Sequence, residues 1–187
     1  MKNNVSLHQG QYEALATDKR IILEMAGQGG GKSHTIGFRT AVFASMFPET
    51  IGLICANTYT QLSDATITRC KEVWKTSFGW TEYHKKNNVD GDYIVGLKPP
   101  LHFKQHKIFD KYHNKIFFRN GKVYIFGSMD AYENIDGIEV AHVEMDETKD
   151  TREKAVKDVV IGRCRQAGIC VISDTQLACL VAFFFLL

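Results

Sequence analysis

An α/β domain built on a mostly parallel sheet flanked by helices is the fold class this sequence predicts. Three observations carry it. Short apolar runs alternate with longer segments of helical spacing, the pattern of a parallel sheet with crossover helices. The stretch "EMAGQGGGKSHT", residues 24 to 35, places a glycine-rich loop between one apolar run and one helical segment. A later apolar run, "IEVAHVEMDE", ends in two adjacent carboxylates, Asp146 and Glu147.

Taken in order, "RIILEMA" from Arg20 to Ala26 reads as a short buried strand, and the glycine loop follows. Lys32 to Met46 reads as a helix, with Ile36, Val42, Phe43 and Met46 at loosely helical spacing and Pro48 as its stop. "IGLICA", Ile51 to Ala56, is a second short strand, and Gln61 to Phe78 a second helix. Residues 79 to 114 read as irregular and polar. "KIFFRNGKVYIFGS" predicts a hairpin around Asn120-Gly121, the pair favoured in two-residue type I′ turns. Ile138 to Met145 is a further strand, Thr151 to Gln166 a helix, and Ile169 to Ser173 a final strand. No internal repeat or linker interrupts the series, so residues 1–175 are expected to form one domain and 176–187 an apolar tail.

The chain has 187 residues, enough for one well-filled core. Its net charge of +2 gives no global attraction to nucleic acid, so any such attraction must come from a local patch. Five cysteines without a C-x-x-C pair point to reduced thiols in a cytoplasmic protein, with neither a disulfide framework nor a zinc site. The polar start "MKNNVSLHQGQ" carries no secretion signal. The final "LACLVAFFFLL" is about half the roughly 20 residues that span a bilayer. It is expected to be a buried strand with a tail, or the end of a chain that stops early, and no membrane partner is expected.

The glycine loop carries the chemistry. From Ala26 to Ser33 the pattern is A-x-x-x-x-G-K-S, a P-loop (Walker A) pattern with Ala in the first glycine position. Ala26, Gly27, Gln28, Gly29, Gly30 and Gly31 would turn backbone N–H groups toward phosphates as an anion nest. Lys32 would reach the β- and γ-phosphates and the Ser33 hydroxyl would ligate Mg²⁺. The bland alternative is a flexible turn. Asp146, at the C-terminal end of its strand, is the second expected Mg²⁺ ligand, and Glu147 the expected general base, in the manner of a Walker B pair. The alternative there is a pair of caps for the following helix. A guanine-reading N-K-x-D is missing, since "NKIF" at Asn114 lacks the Asp, and this favours ATP over GTP. Gln11, some twenty residues before Lys32, can both donate to and accept from an adenine edge, or can be a solvated helix residue. Between Lys98 and Lys122 seven basic residues face one acid, Asp110, with aromatics interleaved. Lys104, Lys107, Lys111 and Lys115 are candidate DNA-backbone contacts, against the alternative of a solvated hairpin whose aromatics pack inward.

The order "LHQGQYEAL", "MAGQGGGKS", "ICANTYTQL", "NGKVYIFGSMDAYENIDGIEVAHVEMDE" and "GRCRQ" resembles the ATPase domain of phage terminase large subunits, the DNA-packaging motors. The similarity runs from about Ser6 to Asp174. It implies a P-loop NTPase fold of the RecA-like type with a catalytic Glu (ASCE). It implies ATP and Mg²⁺ as cofactors, double-stranded DNA as track, and a viral protein working in the host cytoplasm. It further implies a portal and a small terminase subunit as partners, and a homo-oligomeric ring when assembled. By the same resemblance Gln11 contacts adenine, and Ser173, Asp174 and Thr175, after the last strand, couple hydrolysis to motion. Many members carry an Arg in the phosphate loop where this chain has Gln28, so an arginine finger must come from elsewhere. Arg163 and Arg165 are candidates, in cis or from a neighbouring subunit, unless both are simply charges on an exposed helix end. Members continue into a nuclease domain that this sequence lacks, so no nuclease activity is expected of it. A helicase-like ATPase, or a nucleotide-binding fragment without turnover, are the competing readings.

Overall fold

Every residue of the strand Ile51–Ala56 is buried, and alternate residues enter different cores. Ile51, Leu53 and Cys55 pack on one side, and Ile54 and Ala56 on the other. A strand with both faces covered is the centre of a parallel sheet. The computed structural model of the chain describes residues 6–176, apart from 18, 20, 26–28, 88, 136, 148–150, 152 and 166–170. Its strands are β1 (Ile21–Met25), β2 (Ile51–Ala56), β3 (Tyr93–Val95), β4 (Lys115–Phe118), β5 (Val123–Ser128), β6 (His142–Asp146) and β7 (Val171–Gln176). They form one sheet in the order β1-β7-β6-β2-β5-β4-β3. The run from β1 to β5 is parallel, while β4 and β3 extend it antiparallel. The C-terminal ends of the parallel strands therefore share one edge.

Helices α1 (Gln9–Ala16) and α2 (Lys32–Met46) flank β1 in sequence. After β2 the chain is helical over 59–78, as α3 (Tyr59–Gln61), a π-helical segment (Leu62–Ile67) and α4 (Thr68–Phe78). A Cβ on Gly37 would lie 2.9 Å from the Val73 side chain, so the glycine lets α2 and α4 pack closely. Between them Trp74 is fully buried and donates its indole N–H to the Gly37 carbonyl and the Thr40 hydroxyl, both at 3.1 Å. Trp80 packs beside it, ring centroids 6.4 Å apart. The opposite face is covered by Phe103, Phe109 and Tyr112, by the 3₁₀ segment Met129–Ile135, and by Ala155 of α5 (Glu153–Ala155) with the π-helical Val156–Ile161 that follows.

Four expectations change. Residues 79–114 are not wholly irregular, because Tyr93–Val95 pairs antiparallel with β4. β1 is a half-exposed edge strand, not a buried one, with Met25 46% exposed. The hairpin turn is not type I′. Gly121 is left-handed at φ 91°, but Asn120 is not among the positive-φ residues. The Phe118 N–H donates to the Lys122 carbonyl at 2.9 Å and the Gly121 N–H to the Phe118 carbonyl at 3.0 Å. That is a three-residue loop closed by a left-handed glycine. Finally, β7 runs to Gln176, so Ser173, Asp174 and Thr175 lie inside the strand, with Thr175 in register with Asp146. The expected apolar tail, 176–187, has its first residue, Gln176, inside β7, and residues 177–187 lie outside the described residues. No helix among the described residues is long and apolar enough to cross a membrane.

Beneath the sheet runs a buried polar chain. Lys122 Nζ donates to the Thr50 hydroxyl at 2.6 Å and lies 3.5 Å from His142 Nδ1. His142 Nε2 is 3.1 Å from the Tyr124 hydroxyl, which donates to the Thr40 carbonyl at 2.6 Å. Tyr124 spends its proton on Thr40, so it accepts from His142 Nε2 and leaves Nδ1 to accept from Lys122. Burial pushes Lys122 down to about 7 and His142 well below its ordinary range. Gly52 opens the room for this chain, since a Cβ there would sit 2.5 Å from the Tyr124 ring.

Candidate functional site

The parallel strand ends converge on α2, whose first residues follow the glycine loop. Gly31 is the N-cap of α2 at φ 78°. Helix N-termini present unpaired N–H groups to anions. Ala26, Gly27 and Gln28, expected in the phosphate loop, lie outside the described residues; Gly29, Gly30, Gly31, Lys32 and Ser33 line a cleft of about 480 Å³ with Asp146 and Glu147.

The loop is clamped from behind by α1. His8 and Gln11 form a reciprocal cap: Gln11 N–H donates to His8 Nδ1 at 3.3 Å and His8 N–H donates to Gln11 Oε1 at 3.2 Å. His8 Nε2 then donates to the Gly30 carbonyl at 3.0 Å, and Gln11 Nε2 to the Gly31 carbonyl at 3.2 Å. Gln11 is buried against the loop, not solvated, and both ends of its amide are engaged. His8 is a site residue that sequence reasoning missed; its signal is the three-residue spacing to Gln11 that a reciprocal cap requires.

Ser33 Oγ donates to Asp146 Oδ2 at 3.4 Å, and Thr66 Oγ1 donates to the same oxygen at 2.7 Å. Glu147 lies one residue beyond β6 at φ 56°, left-handed and unusual for a glutamate. Gln61 Nε2 holds its carboxylate at 2.8 Å, and Asn57 Nδ2 holds its carbonyl at 2.6 Å. Asn57 is itself fixed: its carbonyl accepts from Ser128 Oγ at 2.6 Å, and its Oδ1 accepts from Thr151. Asn57, Gln61 and Thr66 also escaped sequence reasoning. The first two fall inside "ICANTYTQL", a stretch that enters the sequence reading only through resemblance. Thr66 reaches Asp146 from the π-helical segment, and periodicity carries no sign of such a segment. At the other end of the loop, Thr35 Oγ1 donates to Glu24 at 3.2 Å, while burial raises the Glu24 carboxyl above its usual range.

The residues present fit a hydrated divalent cation and a polyphosphate. Ser33, Thr66 and Asp146 converge as hard oxygen donors, the type Mg²⁺ prefers. Gly29, left-handed at φ 76°, has nothing among the described residues within 4 Å of where a Cβ would be. Among the described residues no cluster of three or more His, Cys, Asp or Glu side chains could hold a metal.

Other expected residues lie elsewhere. Arg163 and Arg165 flank Val140, pairing by backbone hydrogen bonds of 2.9 Å. Val140 precedes Asp146 by six residues, on the order of 20 Å along an extended chain, at the opposite end of the sheet. Neither arginine is among the residues that line this cleft. The basic run is also thinner than its count. Lys122 is fully buried, and Lys115 is buried with its ammonium on Asn114 Oδ1 at 2.8 Å and over the Phe109 ring. Arg119 pairs with Asp90 at 2.7 Å. Phe103, Phe117 and Phe118 pack inward, as the bland reading had it. Lys104, Lys107 and Lys111 remain exposed, Lys104 beside Glu49 at 3.3 Å.

No family model and no curated protein matches the chain. Solved structures match its fold. The large terminase of a thermophilic bacteriophage, in complex with ATP-γ-S, matches at 18% identity and a TM-score of 0.62, over 90% of this chain and 37% of that one. The large terminase ATPase domain of Thermus phage P74-26 matches at 12% identity and 0.62, over 94% and 66%. The Phi-28 gp11 DNA packaging motor matches at 15% identity and 0.53, over 89% and 48%. The chain thus spans little more than a third of the first of these proteins. At these identities the likeness is one of fold alone: a mostly parallel sheet flanked by helices.

Proposed function

We propose that this chain, which has the fold of the phage large-terminase ATPase domains, is a Mg²⁺-dependent ATPase that drives double-stranded DNA into a capsid. The observation that carries the reading is the meeting of Ser33, Asp146 and Glu147 in one cleft, with Ser33 3.4 Å from Asp146 and Gln61 2.8 Å from Glu147. Bound Mg²⁺ would supply charge neutralisation for the transferred phosphoryl group. Ser33 and Asp146 would hold it, with Thr66 orienting the carboxylate. Lys32 and the N–H groups of Gly29, Gly30 and Gly31 would cradle the phosphates. Glu147 would take a proton from water as the water oxygen bonds to the γ-phosphorus and the bond to the ADP oxygen breaks. Asn57 and Gln61 would keep that carboxylate aimed at the cleft.

Gln11 fixes the loop through one N–H and one carbonyl lone pair, and its second N–H and second lone pair are those that would contact adenine. A finger from Arg163 or Arg165 would have to act on a neighbouring subunit, which fits a homo-oligomeric ring. A portal, a small terminase subunit and an added nuclease domain belong to the same reading, and no nuclease activity is assigned to these 187 residues. ATP turnover by the purified chain, with and without double-stranded DNA and beside Glu147→Gln, tests it. Turnover that rises with DNA and falls about 10²-fold or more in the variant is expected. DNA-independent turnover, or an active Glu147→Gln protein, would remove the motor or the base respectively.

A further inference from the structure

One cation of the cleft takes no part in the chemistry proposed for it. Gln61, Ala65 and Arg69 recur every fourth residue along the helical stretch 59–78, and all three line the cleft beside Lys32. The Arg69 side chain is half exposed, and its Nη1 pairs with Glu72 Oε2 at 2.6 Å, one turn further along α4. An exposed pair between residues three apart on a helix is weak, because water screens it and two long side chains must be ordered. A nucleoside triphosphate offers a better acceptor, with several charged oxygens in a shape the guanidinium fork matches two at a time.

We propose that Arg69 senses the terminal phosphate within its own chain: it leaves Glu72 to pair with that phosphate when a nucleoside triphosphate is bound, and returns to Glu72 when the phosphate departs. The proposal rests on the nucleotide reading of the cleft. Its consequence is mechanical. The stretch that carries Arg69 also carries Thr66 on Asp146 and Gln61 on Glu147, so a pull on Arg69 is transmitted to both carboxylates.

The test compares affinities for a non-hydrolysable ATP analogue and for ADP, by fluorescent-nucleotide titration, in the unaltered chain and three variants. Arg69→Ala should weaken the triphosphate analogue about tenfold or more and ADP less than about twofold, as befits loss of a charge-assisted contact to one group. Arg69→Lys should fall between, and Glu72→Gln should tighten the analogue by releasing the competitor. Should Arg69→Ala fail to fold, the other two variants carry the comparison. Equal losses for both nucleotides, or an unchanged ratio in all three variants, would overturn the role of Arg69 while leaving the nucleotide site standing. Failure of the unaltered chain to bind either nucleotide would overturn both.

Discussion

Gly31 meets two demands that no other residue satisfies together. Its φ of 78° is left-handed, and a Cβ at this position would lie 2.7 Å from Gln11 Nε2. Gly31→Ala therefore strains the backbone and displaces the α1 clamp. A loss of about 1–2 kcal/mol in urea unfolding is expected. Removing the clashing group should relieve part of it, so Gly31→Ala with Gln11→Ala should destabilise less than the sum of the two single variants. Strict additivity would show that Gln11 does not press on the loop. Residue by residue, the site was half legible. Lys32, Ser33, Asp146 and Glu147 announce themselves because phosphate and metal chemistry demands those types at those places. His8, Asn57 and Thr66 do not, because their work is to hold other groups, and many residue types can do that.

At the scale of elements, α2 owes its place to a buried ion pair. Arg39 Nε lies 3.2 Å from Glu144 Oε1 of β6, both almost fully buried, and Arg39 Nη1 also donates to the Ala14 carbonyl in α1. Arg39→Ala takes the guanidinium away from a carboxylate in the core, and a loss of about 3–5 kcal/mol is expected, read from the denaturation midpoint. A loss under about 1 kcal/mol would mean that water reaches Glu144. The limits of α2 and β2 could be read to the residue, since a glycine and a proline bracket the first and a clean apolar run defines the second. β3 escaped because three residues are too few to establish a period. The Asn120-Gly121 turn departs from its expected type because Asn120 spends its side chain elsewhere: Nδ2 donates to the Ala44 carbonyl at 2.7 Å, and Oδ1 accepts from the Lys122 N–H. Arg163 and Arg165 could not be placed because chain order says nothing of which sheet edge a loop reaches.

For the whole molecule, the buried Lys122–His142–Tyr124 chain makes stability depend on pH. Unfolded, Lys122 would titrate at about 10.4, and folded it does so at about 7. Between those values the unfolded chain binds more protons, so stability rises with pH from about 7 to 10. His142, held well below 6.5, acts in the same direction below that value. Urea midpoints at pH 6 and pH 9 should therefore differ in favour of pH 9, and Lys122→Met should flatten the difference above pH 7. A slope unchanged in Lys122→Met would assign it to other groups. Association with DNA belongs to this scale too. If Lys104, Lys107 and Lys111 contact phosphates, alanine at all three should lower the slope of log affinity against log salt by about 2–3 for duplex DNA. An unchanged slope would remove this face from the DNA path.

Both tryptophans of the chain stand on one side of the sheet: Trp74 lies in the helical stretch that bears Gln61, Thr66 and Arg69, and Trp80 packs beside it. Intrinsic emission is thus a built-in optical gauge of that layer alone. It should register a shift of the helix on its bed without any label. It should stay nearly silent while the far layer, with Phe103 and Ile135, comes apart. Circular dichroism and fluorescence recorded on one sample would then separate the two layers in time.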